Sequence, residues 1–228
     1  MIANLLRFAI LCLVKFSRYW CYPTRSQWVS PPPDKDWKNV RLILILNHTS
    51  MVEFVYATAM PTKFLWQMAK RLIFPVADSS LKKPQGKMLK LFAPRVASLS
   101  RKRDDTWQDF LDQLASDSIL IFMPEGRMKR PNGLDKNGNP MTVKSGICDL
   151  LPQFAGENMI VAYSGGLHHV MAPGQVVPRP FRKLAVTLES VNVDEYLDQF
   201  NHIEDEKQRR DAICKDLEQR RDQHCPTP

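Results

Sequence analysis

Long apolar runs are scarce in this sequence. The longest unbroken one, Phe8 to Val14, sits between Arg7 and Lys15, well short of the roughly 20 residues that a membrane-crossing helix needs. It lacks the small-residue cleavage site of a secretory signal. The five cysteines (Cys12, Cys21, Cys148, Cys214, Cys225) are odd in number, scattered and without a C-x-x-C pair. That argues against a disulfide framework or a zinc ribbon, and for reduced thiols facing a cytosol. There is no H-E-x-x-H around His168-His169 and no carboxylate beside them, so a metal hydrolase is disfavoured and no metal ligands are assigned. Tyr163-Ser164-Gly165-Gly166 is not the G-x-S-x-G of a serine hydrolase. No internal repeat is visible. The formal charge of +8 calls for an anionic partner, yet no nucleic-acid-binding motif accompanies it, which leaves a membrane surface or a phosphorylated substrate.

At 228 residues and 44% hydrophobic content the chain is long enough for one sizeable α/β core. On a helical wheel Asn4, Arg7, Lys15 and Arg18 fall within about 80° of one another, with Leu11 among them. Ile2, Leu5, Leu6, Ala9, Leu13, Phe16 and Trp20 occupy the other side, and Tyr19-Trp20-Cys21-Tyr22 follows. A wide apolar face, a narrow cationic one and a trailing aromatic cluster describe a helix lying in a bilayer interface. The bland reading is a helix packed on the protein's own core. Pro31-Pro32-Pro33 is a stiff connector, so residues 1–33 are expected to form a membrane-interface element and residues 34–228 the catalytic body.

Leu42-Ile43-Leu44-Ile45-Leu46 cannot show a solvated face and reads as a strand buried on both sides, as in a parallel sheet. A helix is expected after it to about Met60, then a short strand at Lys63–Trp66, a short helix from Ala69 to Phe74 and a helix opening at Lys82-Lys83-Pro84. Val96 to Ser100 alternates like a strand and leads to Arg101-Lys102-Arg103. Asp104-Asp105-Thr106 caps a helix carrying Trp107, Phe110, Leu111 and Leu114. Ser118 to Met123 is a second buried strand, Met159 to Tyr163 a third, and Phe181 to Val191 one more; Ile147 to Phe154 and the charged chain from Asp194 onward read as helical. Strands alternating with helices give an α/β domain with a largely parallel central sheet.

The polar cluster Asn47-His48-Thr49-Ser50-Met51-Val52-Glu53 follows the first buried strand, and the carboxyl ends of such strands are where open α/β folds place ligands. Residues five apart on an ideal helix lie roughly 140° from each other. His48 and Glu53 therefore meet only if His48 stays in the turn, Thr49 or Ser50 caps the helix, and Glu53 enters its first turns. A carboxylate against one imidazole nitrogen fixes the tautomer and raises the basicity of the other, which makes a general base. The bland alternative is a hydrogen-bonded turn histidine. Arg101 with Arg103, and Glu125-Gly126-Arg127, stand at the ends of two further strands. Together they offer an anion site, since guanidinium groups grip phosphate oxygens bidentately, and a turn whose N–H groups face a developing oxyanion.

In this order the motifs resemble those of the glycerolipid acyltransferases related to lysophosphatidic acid acyltransferase, the PlsC-like family. That family's pattern is Asn-His-x4-Asp, a strand leading to Arg, Phe-Pro-Glu-Gly-Thr-Arg, a lysine-glycine segment and a Val-Pro-Val-like strand. Here Asn47 and His48 with Glu53, Arg101, Pro124-Glu125-Gly126, Lys144 and Gly146, and Val161-Ala162-Tyr163 stand in those places, over roughly residues 40 to 165. The chain departs from the pattern in four ways. Glu53 replaces Asp; Arg127 follows Gly126 directly, with no Thr between; the residues before Arg101 lack the usual Gly and Phe-Ile; and Val161-Ala162-Tyr163 has no proline.

The resemblance implies an O-acyltransferase of phospholipid synthesis that uses no bound cofactor, no metal and no acyl-enzyme. His48, steered by Glu53, is expected to deprotonate the hydroxyl of a lysophospholipid, 1-acylglycerol-3-phosphate above all, as it attacks acyl-CoA or an acyl-carrier protein. N–H groups near Gly126 would meet the oxyanion, Arg101 and the Arg127 region would hold the phosphate, and Glu125 would organise that loop or the acceptor's polar groups, all four counted as substrate-binding. The expected place is the membrane, at the cytoplasmic face of the inner membrane if the source is bacterial. Two alternatives stand beside this reading: an acyltransferase for an aminolipid or a non-phosphate lysolipid, and a catalytically silent basic peripheral membrane protein of the same fold.

Overall fold

A computed structural model of the chain describes residues 1–77, 89–100 and 105–227. Its strands are β1 (Thr24–Trp28), β2 (Val40–Leu46), β3 (Leu72–Ala77), β4 (Arg95–Leu99), β5 (Ile119–Phe122), β6 (Asn158–Ser164) and β7 (Leu184–Asn192). They form one seven-stranded sheet in the order β1-β7-β6-β2-β5-β3-β4. Every neighbouring pair is parallel except β6 and β7. The α/β class and the largely parallel sheet are as expected. β2 lies in the middle, and its side chains alternate between two cores, as a strand's period of two requires. Ile43 and Ile45 join Val55, Tyr56, Phe64 and Met68 on one face; Leu42, Leu44 and Leu46 join Phe110, Leu151, Tyr196 and Leu217 on the other.

Four longer helices accompany the sheet: α1 (Ile2–Phe16), α2 (Thr62–Arg71), α3 (Asp105–Asp112) and α4 (Glu206–His224). The short strand expected at Lys63–Trp66 is part of α2 instead. Phe64, Leu65, Met68 and Ala69 are buried, a one-sided helical stripe; Pro61 lies just past the 3-10 helix Glu53–Ala59 and immediately before the first turn of α2. The helix expected from Ala69 to Phe74 gives way to β3 at Leu72. Pro75 sits inside β3 opposite Ala97 of β4, past the last rung shared with β5 at Ile73 and Leu120. A proline there faces a strand on one side only, so its missing N–H removes no central rung. The helix expected to open at Lys82 lies outside the described residues up to position 88; residues 89–92 are helical.

The division at residue 33 does not separate two packing units. β1, which precedes the prolines, pairs with β7 from Thr24↔Leu184 to Trp28↔Leu188, and Leu11 is 2% exposed in the first core. Helix α1 packs inside out. Its cationic stripe turns toward the protein: Lys15 Nζ donates to the Met60 carbonyl at 2.6 Å and Arg18 to that of Thr58 at 3.3 Å, while Phe8 meets Trp66 edge-on. Burial pushes the Lys15 ammonium below its ordinary pKa. The apolar side looks outward, with Ile2, Leu5, Leu6, Leu13, Phe16, Tyr19 and Trp20 all at least half exposed. Among the described residues no helix is long and apolar enough to cross a membrane.

Candidate active site

Parallel β2 and β5 bring their carboxyl ends together, and the turns leaving the two strands are hydrogen-bonded to each other. After β2 the backbone turns at Asn47 with φ of 61°, a left-handed conformation that Asn tolerates better than most residues. The Asn47 side-chain amide donates to the Ser164 carbonyl at the end of β6, 2.8 Å away. The Asn47 and His48 N–H groups donate to the two oxygens of Glu125, at 3.2 and 2.7 Å. Glu125, 1% exposed, thus clamps the turn that carries His48. Its charge is met by Arg221 of α4, whose guanidinium reaches Glu125 at 3.1 Å and the Met141 carbonyl at 3.0 Å.

Within that turn the His48 Nδ1 and a Glu53 oxygen are 2.5 Å apart, and the other Glu53 oxygen accepts the Thr49 N–H at 2.8 Å. Both residues are buried. The longer side chain of Glu, in place of Asp, reaches the imidazole and the backbone at once. Glu53 opens a 3-10 helix, Glu53–Ala59, rather than an α-helix, and no hydroxyl caps it. Ser50 donates instead to the Met171 carbonyl, and the Thr49 hydroxyl accepts the Leu167 N–H, each at 2.7 Å. Burial disfavours the charged imidazole, but the Glu53 carboxylate, by charge and hydrogen bond, and Glu125 beyond it outweigh that. The His48 pKa stands above the ordinary 6.5. A carboxylate can only accept, so in the neutral ring Nδ1 carries the proton and Nε2 the lone pair.

His48 and Glu53 open onto a cavity of about 460 Å³. Met51, Phe54, Phe74, Val76, Leu99 and Ile121 line it with apolar groups, and Glu125, Gly126, Arg127 and Lys144 add polar ones. The structure thus gathers five of the six sequence-predicted site residues. The sixth, Arg101, lies outside the described residues, as does Arg103. Two of these residues are already partnered. The Gly126 N–H donates to the Met123 carbonyl at 3.0 Å, closing its own turn with φ of 65°, so among the N–H groups near Gly126 that one is engaged. Arg127 is paired with Asp135, and the Asn139 N–H first, then Arg127 and the Asn137 N–H, hold the Asp135 carboxyl well below the usual carboxylate range. Part of the Arg127 charge is therefore already engaged.

Arg221 carried no signal in the sequence, where it is one basic residue in a helix full of them. The role of Tyr56 was equally hidden: its hydroxyl and that of Ser164 are 2.6 Å apart beneath the turn. A second cavity of about 820 Å³ lies across Trp107, among Cys148, Asp149, Leu197, Arg209 and Arg210, and holds none of the candidate residues. His168 and His169 bond the carbonyls of Lys129 and Lys183, each at 2.7 Å. Among the described residues no three His, Cys, Asp or Glu side chains gather as a metal site would require.

No protein-family model and no curated protein matches this sequence. Among solved structures, the 1-acyl-sn-glycerophosphate (LPA) acyltransferase PlsC from Thermotoga maritima is similar, with a TM-score of 0.55 and 15% identity. The match covers 95% of this chain and 80% of that one. At that identity the likeness is one of fold, and this chain has an acyltransferase-like α/β fold.

Proposed function

We propose that this protein transfers a fatty acyl group from an acyl thioester, acyl-CoA or acyl-carrier protein, to the hydroxyl of a lysophospholipid, with 1-acylglycerol-3-phosphate the first candidate. One observation carries the reading: a buried carboxylate 2.5 Å from His48 Nδ1 leaves Nε2 to act as a base, on a residue that lines a largely apolar cavity. The PlsC-like order of motifs and the shared fold support it.

In the proposed reaction Nε2 takes the proton of the acceptor hydroxyl as its oxygen attacks the thioester carbonyl. The tetrahedral intermediate collapses, the C–S bond breaks, and the leaving sulfur takes the proton from His48 as free thiol. The ester remains on the lipid. Glu53 holds the imidazole and stabilises its charge while it carries that proton. Lys144, which lines the cavity, with Arg127 and Arg101, would face the acceptor's phosphate. The outward apolar side of α1 would seat the molecule on a bilayer's cytoplasmic face, so that both acyl chains can stay in or near the membrane.

The test is purified protein with palmitoyl-CoA and single lysolipids, following thiol release and the lipid product. Thiol should appear only when a lysolipid is present, and His48→Ala should abolish it. Equal consumption by that variant would end the reading. The Arg127–Asp135 pair leaves less free positive charge than a phosphate site with both arginines open, which favours a second reading for the acceptor. A non-phosphate lysolipid or an aminolipid turning over faster than 1-acylglycerol-3-phosphate would establish it.

A further inference from the structure

The segment between β6 and β7 shows a surface that the acyl-transfer site does not use. Val176, Val177 and Phe181 are 69%, 75% and 74% exposed, and Arg179, Arg182 and Lys183 between and after them are exposed too. From residue 158 to residue 188 the chain has no acidic residue. Exposed cations are ordinary on a solvated loop, but three large exposed apolar groups between positions 176 and 181 are unusual. The loop is not loose. The Arg179 N–H donates to the Val170 carbonyl at 2.8 Å, the Gln175 side chain accepts the Ala172 N–H at 3.0 Å, and His169 holds the Lys183 carbonyl at 2.7 Å. The apolar groups are thus presented by a fixed backbone, with Phe181 at φ of 59°.

Its position is set by the sheet. β7 runs antiparallel to β6, so the start of β7 lies at the edge where β6, β2 and β5 end, the edge that carries His48. The chain entering the loop, His168–Met171, bonds the catalytic turn through the Met171 carbonyl to Ser50 and through His168 to the Lys129 carbonyl. At the loop's other end the Leu184 N–H donates to the Pro23 carbonyl at 2.8 Å. Phe181 is three residues before Leu184, and exposed Trp20 is three residues before Pro23. Three residues span at most about 10 Å. The loop and the aromatic end of α1 therefore both stand at the sheet edge that carries His48, on chain segments tied together by the Leu184–Pro23 bond.

We propose that residues 172–183 are a second membrane-docking element. Val176, Val177 and Phe181 enter the interface of a bilayer containing anionic phospholipid, and Arg179, Arg182 and Lys183 lie against its headgroups. Apolar wedges ringed by cations are the composition such an interface binds. The proposal rests on the reading of α1 as membrane-seated, and adds that the bilayer meets the protein at two places, with the mouth of the His48 cavity on the same edge.

The test is co-sedimentation of the full chain with vesicles of phosphatidylcholine alone and with a third phosphatidylglycerol. Three variants are compared: Arg179→Gln/Arg182→Gln/Lys183→Gln, Val176→Ser/Val177→Ser/Phe181→Asn, and Leu5→Ser/Leu13→Ser/Phe16→Ser in α1. Asn accepts the left-handed backbone of position 181, and all six loop side chains are exposed, so melting temperatures should match the parent. The charge variant should lose roughly 100-fold in partitioning to the anionic vesicles and little on the neutral ones. The apolar loop variant should lose at least tenfold on both. Loop variants that bind like the parent overturn the proposal and assign the patch to a protein contact. Loss in the loop variants with none in the α1 variant sustains the loop and rejects the α1 reading. A parent that ignores both vesicles overturns the two together.

Discussion

Replacing Glu125 by Gln removes one charge and one acceptor from a carboxylate that holds three partners: the N–H groups of Asn47 and His48 and the guanidinium of Arg221. The Glu125 side chain is fully buried and that of Arg221 is 12% exposed, so solvent screens neither. A hydrogen bond to a charged group contributes about 1.5–3 kcal/mol, and breaking a buried ion pair from one side costs about 3–5 kcal/mol. The substitution keeps one oxygen as an acceptor, which places the loss at about 3 kcal/mol. For a chain of this length that is roughly a 10 °C fall in melting temperature. Arg221→Met should cost a similar amount, because it strands the carboxylate instead of the guanidinium. The double variant should lose clearly less than the sum of the two, as partners in one network do. Thermal melts of the four proteins give the cycle, and thioester turnover measured at 15 °C, where all four remain folded, gives the functional half. Turnover should fall in each single variant because the left-handed Asn47 turn, and with it His48, loses its clamp. A Glu125→Gln protein that melts within about 3 °C of the parent and turns over at the parental rate would refute the clamp.

Turnover should rise with pH along an acid limb centred above the ordinary histidine value, since the base works only when neutral and the Glu53 carboxylate keeps it protonated longer. Glu53→Gln removes that charge and leaves burial as the main influence, so the limb should move below pH ~6.5, at a lower plateau. An unmoved limb would separate Glu53 from the proton transfer. The same raised pKa makes the His48–Glu53 pair a source of stability that is fully present below pH ~6.5 and is lost as pH rises through the folded-state value; urea midpoints across pH read it, and their change should vanish in His48→Ala. Gly126→Ala meets no neighbouring atom within 4 Å, so its only penalty is the left-handed φ of 65°, about 1 kcal/mol and a few degrees of melting temperature; a larger loss would point to a contact at that turn.

How much the sequence disclosed depended on how one-sided each signal was. β2, β5 and β6 are runs of large aliphatic residues, and burial on both faces leaves no other reading. α2 is masked in the sequence because Pro61, Pro75 and a mixed sequence between them look like punctuation; the helical stripe from Phe64 to Ala69 decides, and Pro75 is harmless where β3 has lost its β5 neighbour. β1 gives no signal because Thr24-Arg25-Ser26-Gln27-Trp28 is a polar edge strand with no alternation. The His48–Glu53 contact was legible from spacing, since five residues of turn followed by a helical start let the two meet. The clamp was legible only in part. Glu125 stood in a recognisable motif, but Arg221 lies 96 residues away on α4, and nothing local distinguishes it from its neighbours. Long-range partners chosen by three-dimensional packing leave no periodicity behind.

The inverted packing of α1 has a practical side. Because Lys15 of the helix and Arg18 of the turn that follows it are already turned to the Met60 and Thr58 carbonyls, the helix cannot roll its greasy flank inward without uncovering them. In plain buffer that flank has only other copies of the chain to touch. Preparations made without detergent or lipid should therefore form clusters that grow with concentration and dissolve when micelles are supplied, and rates measured in such buffer will understate the protein in proportion to how much of it is clustered.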